Sequence, residues 1–216
     1  MIKILTNDGN NNLKERLQEL MPNSKEVKIL AGYFHFSGIK ELYETLKKLY
    51  NEGRLSQEHI KILVGLYNTD KNRNMEKKDR FIQDLTDSIK KSIETASTGQ
   101  ELDDEDIHEQ VRFFVKLLKE RIILIRKTWE PNHSKLYLFK TNETSAPHLF
   151  IIGSSNLTRP GLVDQNELNV VSDDDNGFKK AEDFFDNSWK DAIPLSENDI
   201  RRLEDTGLEA FETISV

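Results

Sequence analysis

The segment Asn132-His133-Ser134-Lys135-Leu136-Tyr137-Leu138-Phe139 sets an imidazole and an ammonium two residues apart, in a run whose pattern predicts a strand over 133–139. Side chains two apart in a strand share a face, so His133 and Lys135 are expected side by side. A second predicted strand, 148–152, runs into Gly153-Ser154-Ser155-Asn156, where Ser154 and Asn156 stand in the same relation. With the two strands as neighbours, imidazole, ammonium, hydroxyl and amide converge on one small oxyanion. Glu167, beyond a turn containing Pro160-Gly161, is suited to accept the other N–H of the imidazole. A lone histidine on a strand is most often structural, and Gly-Ser-Ser-Asn alone is an ordinary turn. It is the complementary roles of all five side chains that argue for one shared site.

The composition narrows the chemistry. With no cysteine, the chain has no disulfide, thiolate zinc site or cysteine nucleophile. No group of Asp, Glu and His with metal-ligand spacing lies near His133, which is weakly consistent with chemistry that uses no metal and no cofactor. The net charge of −7 does not favour nonspecific attraction to nucleic acid or to an anionic membrane. It is concentrated in Glu101 to Asp106 and in Asp173-Asp174-Asp175, both read as solvated surface. The longest apolar runs are too short to cross a bilayer, and Met1 to Leu5 gives way at once to polar residues. A cytoplasmic protein is the expectation.

The elements that must position these groups follow from periodicity. Helices are predicted over 10–20, 37–50, through Phe81, Leu85, Ile89 and Ile93, over 105–119, 178–189 and 197–211. Further strands are predicted over 26–36, 60–66, 121–126 and 167–171, and 96–100 as a loop or hinge. Strand 26–36, helix 37–50 and strand 60–66 form a β-α-β unit, which favours parallel strands. The 216 residues read as one α/β domain, a mixed β-sheet flanked by helices.

His133-x-Lys135, Gly153-Ser154-x-Asn156 and Glu167 resemble the HxK…GSxN pattern of the phospholipase D superfamily, over residues 133 to 171. Ala31-Gly32-Tyr33-Phe34, Ser37-Gly38 and Lys61-Ile62-Leu63-Val64-Gly65 are similar to the amino-terminal part of its nuclease-like, helicase-associated members. One departure stands out: the fuller pattern has an aspartate five residues after the lysine, and Lys140 occupies that place. This resembles the restriction-endonuclease-like branch, in which a later carboxylate, here Glu167, takes the orienting role.

The resemblance implies a phospholipase D-like fold and phosphodiester cleavage without metal. His133 would be the nucleophile, forming a phosphohistidine, and Lys135, Ser154 and Asn156 would bind the non-bridging oxygens. Ser155 joins Ser154 as a substrate-binding candidate. The mechanism needs a second imidazole. His59-Ile60-Lys61 repeats the HxK spacing but lacks the downstream half, and reads as a strand-edge histidine. Single-motif members of the family pair two chains, so a homodimer with both His133 side chains at its axis is expected.

DNA is the expected substrate, mainly from the resemblance. Lys71 to Arg80, and Arg126, Lys127 and Trp129, are candidate contacts to its backbone or bases, with a solvated helix start an equally good reading of Lys71 to Arg80, and core or dimer interface of Trp129. A non-catalytic dimerisation or nucleic-acid-positioning module of a helicase or restriction system is the alternative, and a lipid phosphodiesterase the third reading. A helicase or DNA-recognition domain beyond Val216 would be a natural partner, and no membrane is expected.

Overall fold

Three apolar runs, Ser24–Ala31 (β2), Ile60–Val64 (β3) and Ile123–Lys127 (β4), lie parallel at the heart of a computed structural model. Antiparallel to β2 runs Leu136–Thr141 (β5), followed outward by His148–Gly153 (β6), Asn169–Ser172 (β7) and Ile2–Leu5 (β1). Ile193–Pro194 (β8) covers the far end of β4, giving one eight-stranded sheet of order β1-β7-β6-β5-β2-β3-β4-β8. The structure describes residues 2–9, 11–65, 76–97 and 104–214.

Alternation along the strands sends two sets of side chains to opposite faces. Val27, Ile29, Ile62, Ile125, Tyr137 and Phe139 enter the larger core, beneath Leu13–Leu20 (α1), Phe36–Lys40 (α2), Tyr43–Asn51 (α3), Lys77–Ser97 (α4), Asp104–Lys119 (α5) and Glu197–Ile214 (α7). Leu30, Leu63, Leu136 and Leu138 meet Phe178 and Phe185 of Asp175–Lys190 (α6) on the other face. Both faces of the central strands are thus covered, as a largely parallel core requires.

Several boundaries differ from the sequence expectation, each for a local reason. No strand was expected over Ile2–Leu5, where β1 forms. The helix expected over 37–50 is two, α2 and α3, with Leu42 (φ −103°, ψ 0°) capping the second. β4 begins at Ile123, because Arg121 takes a left-handed φ of 57° while its N–H and that of Ile122 close the end of α5 on Leu118 and Leu117. Ala96 and Ser97 belong to α4 rather than to a hinge, and 98–100 lie outside the described residues. Asp174 is more than solvated surface: its carboxylate accepts the Gly177 N–H at 2.6 Å and caps α6.

Candidate active site

The strand directions decide what meets what. β2, β3, β4 and β6 end, and β5 and β7 begin, at the same edge of the sheet. Residues 133–135, 154–156 and 167 therefore gather at one place although they are spread over 35 positions of the chain. His133 and Ser154 are exposed there, and Lys135, Asn156 and Glu167 are half-buried.

His133 and Lys135 are not in the strand, which starts at Leu136. The Asn132 side chain accepts the Ser134 N–H at 2.9 Å, and the Asn132 N–H donates to the Gly65 carbonyl at 3.1 Å. That turn competes with the ladder, as asparagine commonly does. Lys135 curls back, its ammonium donating to the His133 carbonyl at 2.6 Å. The ladder resumes where Gly153 N–H donates to the Lys135 carbonyl at 3.3 Å. Burial pulls the Lys135 pKa below the usual lysine value, and the charge of Glu167 opposes the pull.

The turn is fixed from beneath by Lys127, whose ammonium, fully buried, donates to the Gly65 carbonyl at 2.9 Å and the Thr128 carbonyl at 3.0 Å. At Gly65 a Cβ would run into the Asn132 carbonyl, so the two backbones meet only because the residue is glycine.

Across the cleft, the Ser154 hydroxyl donates to the Glu167 carboxylate and accepts the Leu168 N–H at 3.0 Å. Ser155 lies behind this pair rather than in the opening. It is fully buried, its hydroxyl accepts from Asn169 Nδ2 at 2.9 Å, and its carbonyl accepts the Tyr137 hydroxyl at 2.9 Å. Burial and the nearby charge of Glu167 push the Tyr137 phenol far up, which keeps it a donor. Asn156 uses its side-chain Oδ1 to accept the Tyr33 N–H at 2.9 Å, which leaves its Nδ2 free to donate. Glu167 therefore engages Ser154, a partner that the sequence did not suggest.

Asn132, Tyr137 and Asn169 hold the site and were not anticipated. A polar Asn169 between apolar Leu168 and Val170 was the available signal, since a buried amide needs partners.

Of the other four histidines, two stand at the opposite end of the sheet and one borders the site. His59 is buried at the start of β3, near Ser56, at the opposite end of the sheet, about 20 Å from the site at strand rise. His148 stacks on Phe178 and faces Asp175. His108 is on α5. His35 precedes α2 and borders the site: its N–H donates at 3.2 Å to the carbonyl of Leu157, the residue after Asn156, and Asp84 and Lys91 are its charged neighbours.

Lys140 is also remote, five residues down β5, or about 16 Å from Lys135. It pairs with Glu26 at 3.0 Å and Glu182 at 2.8 Å, in a network that includes buried Lys28 and Asp186. The departure from the family pattern is thus structural and leaves the cleft untouched.

Of the expected DNA contacts, Arg126 stacks on Trp189 and donates to its carbonyl at 2.9 Å, and Lys127 is buried. Lys78 pairs with Asp199 at 2.9 Å, and 71–75 lie outside the described residues. Trp129 is 59% exposed beyond β4. Among the described residues no helix is long and apolar enough to cross a membrane.

A comparison with curated protein sequences finds no match. Among solved structures, the fold is similar to Nuc from Salmonella typhimurium, a phospholipase D family member, at 11% identity and a TM-score of 0.50, covering 91% of this chain and 99% of that one. It is also similar to phosphatidylserine synthase from Haemophilus influenzae Rd KW20, at 12% identity and a TM-score of 0.54, over 99% of this chain and 46% of that one. At such identities the likeness concerns the fold. The family model described as cardiolipin synthase, PLD-like domain, matches residues 16–189. By that match and by its mixed, helix-flanked sheet, the chain belongs to the phospholipase D superfamily.

Proposed function

We propose that this chain is a metal-independent phosphodiesterase acting on DNA, through a phosphohistidine on His133, at a site completed by a second copy of the chain. The observation that carries the reading is the gathering of one imidazole, one ammonium, a hydroxyl–carboxylate pair and an amide at a single sheet edge, with His59 and His148 at the opposite end of the strands.

In this reading an imidazole nitrogen of His133 attacks phosphorus, and the bond to the leaving oxygen breaks. His133 of the second copy gives that oxygen its proton. The same imidazole then takes a proton from water as the water oxygen attacks phosphorus, and the P–N bond breaks. Lys135 and the Asn156 amide donate to the non-bridging oxygens, where charge must be stabilised, and the Ser154 hydroxyl joins them when its one proton turns from Glu167 to the phosphate. Glu167 holds the Ser154 hydroxyl, and Ser155 supports the turn from behind. The two imidazoles would titrate as a dyad.

Dimerisation has its own support. On the α6 side of the sheet, Ile2 and Ile4 of β1, Ile152 of β6, and Leu168 and Val170 at β7 are 37–75% exposed. The register sets Ile4 beside Val170, and Val170 beside Ile152. This apolar strip borders Ser154 and Glu167, and a face of this kind commonly meets a partner.

A second reading draws on the charge. In a chain of net −7, Arg126, Lys127 and Lys78 are already engaged, which suits a non-catalytic positioning module of a helicase or restriction system. A helicase or DNA-recognition domain and a cytoplasmic setting belong to both readings.

The deciding experiment is cleavage of end-labelled single- and double-stranded DNA in EDTA, by wild type and His133→Ala, with anionic phospholipid vesicles as a parallel substrate. DNA cleavage by wild type alone supports the proposal. A dimer that binds DNA without cutting it favours the module, and release of lipid headgroup with DNA intact favours a lipid enzyme. Cleavage that survives His133→Ala sinks the mechanism.

A further inference from the structure

Far from the cleft, β4 lies next to the end of the sheet and is only half covered. β8 pairs with Arg126 and Lys127 alone. One more bond, Leu195 N–H to the Ile125 carbonyl at 3.3 Å, follows before the chain turns away. Ser196 then caps α7 against Asp199, its N–H and hydroxyl donating to that carboxylate at 2.7 and 2.6 Å.

The ladder with β3 shows which backbone groups are left. Ile60 N–H donates to Ile122 O, and Thr128 N–H to Val64 O. In a parallel ladder the even-numbered residues of β4 therefore face β3, and Ile123, Ile125 and Lys127 face outward. The Ile123 N–H and carbonyl, and the Ile125 N–H, point into a groove where no strand of the described residues pairs with them. Backbone groups at a largely buried position require a partner, and an open edge is a template for one.

The groove has a volume of about 350 Å³. Leu118, Ile123, Leu195 and Ile200 give it an apolar floor, and its rim carries Lys119, Arg121 and Arg201 against one carboxylate, Glu197. Lys119 and Arg121 reach Glu204 and Glu58 only through exposed ion pairs, which contribute little and yield readily to another carboxylate.

We infer that this edge docks an extended acidic segment of a partner protein, added to the sheet as a further strand beside Ile123. The open N–H and carbonyl supply the main-chain register, the floor takes one apolar side chain, and the cations take the acidic ones on either side. A nucleic acid would use the cations but neither the floor nor the outward carbonyl. A second copy docked edge to edge would bring three cations against their own counterparts. The groove opens at the start of β4, the end of the sheet opposite His133, so it serves attachment rather than the phosphodiester site.

The test titrates the isotope-labelled full chain with a capped peptide of alternating glutamate and valine, and follows backbone amides by NMR. The expected result is a shift of the Ile123 and Ile125 amides, with exchange slowed at least tenfold. Arg201→Glu, at an exposed helical position, is expected to weaken binding about tenfold with an unchanged spectrum elsewhere. Three controls are the lysine–valine peptide, the glutamate–valine peptide N-methylated at alternate residues, and oligothymidylate. The proposal is overturned if those two amides do not respond, if either control peptide binds equally well, or if oligothymidylate moves the same amides more strongly than the acidic peptide.

Discussion

Ser154 and Glu167 are joined, hydroxyl to carboxylate, across the gap between the end of β6 and the start of β7, and the Leu168 N–H locks the same hydroxyl at 3.0 Å. The carboxylate thus sets the direction of a hydroxyl facing the cleft, and its charge also bears on Lys135. Glu167→Gln keeps an acceptor for Ser154 but removes the charge. The expected outcome is a loss of about 10²-fold in the rate of DNA cleavage, with the dimer intact by sedimentation.

Lys135 gives a pH signature. Burial lowers its pKa and Glu167 partly restores it. The ammonium is the form that binds phosphate, so activity is expected to fall on the alkaline side at a pH below the ordinary lysine value. Lys135→Arg should extend the plateau to higher pH, and Glu167→Gln should move the fall to lower pH. A pH–rate profile unchanged in both variants would remove Lys135 from the site.

Ser155 and Asn169 form a buried pair, with bonds of 2.9 and 3.4 Å between them. Asn169→Ala leaves the Ser155 N–H and hydroxyl without that amide, at a cost of about 1–3 kcal/mol. Urea unfolding should register the loss, and Ser155→Ala should reduce stability more than it reduces phosphate binding.

Lys140 joins Glu26 and Glu182. Burial works to raise the pKa of each carboxyl, but the lysines prevail and hold both below the usual range. Burial opposes the charge on Lys140 as well, and its two carboxylate partners raise its pKa above the ordinary value. The carboxylates add stability that is present above the unfolded pKa and lost as pH falls through the lower folded one. The Lys140 contribution is present below the unfolded lysine pKa and lost as pH rises through the higher folded one. Lys140→Asp, which restores the family residue, puts three acids together. With the side chain about a third exposed, a loss of about 2 kcal/mol is expected, with cleavage per folded molecule unchanged.

Val170 sits between Ile4 and Ile152 on the uncovered strip. Val170→Asp is expected to give a folded monomer of similar melting temperature that no longer cleaves, measured by light scattering and the DNA assay. Cleavage by that monomer would show that no second copy is needed.

The cluster of candidate residues was legible because its residue types are rare in combination. His133, Lys135, Ser154, Asn156 and Glu167 are recognisable from spacing alone, and apolar alternation marked most strands and helices. The sequence also flagged Lys140 as a departure, though without showing where it stands. What only the tertiary structure decided is orientation and depth. Ser154 and Ser155 are adjacent and identical in type, yet one faces the cleft and the other is buried against Asn169, because successive residues leave the end of β6 in opposite directions. Asn132 ended the predicted strand early through a side-chain bond, and Glu167 took Ser154 as its partner across a register that no local pattern encodes. Spacing along the chain determines which groups are available. Strand order, direction and burial decide which of them meet, since those depend on residues more than a hundred positions apart packing into one sheet.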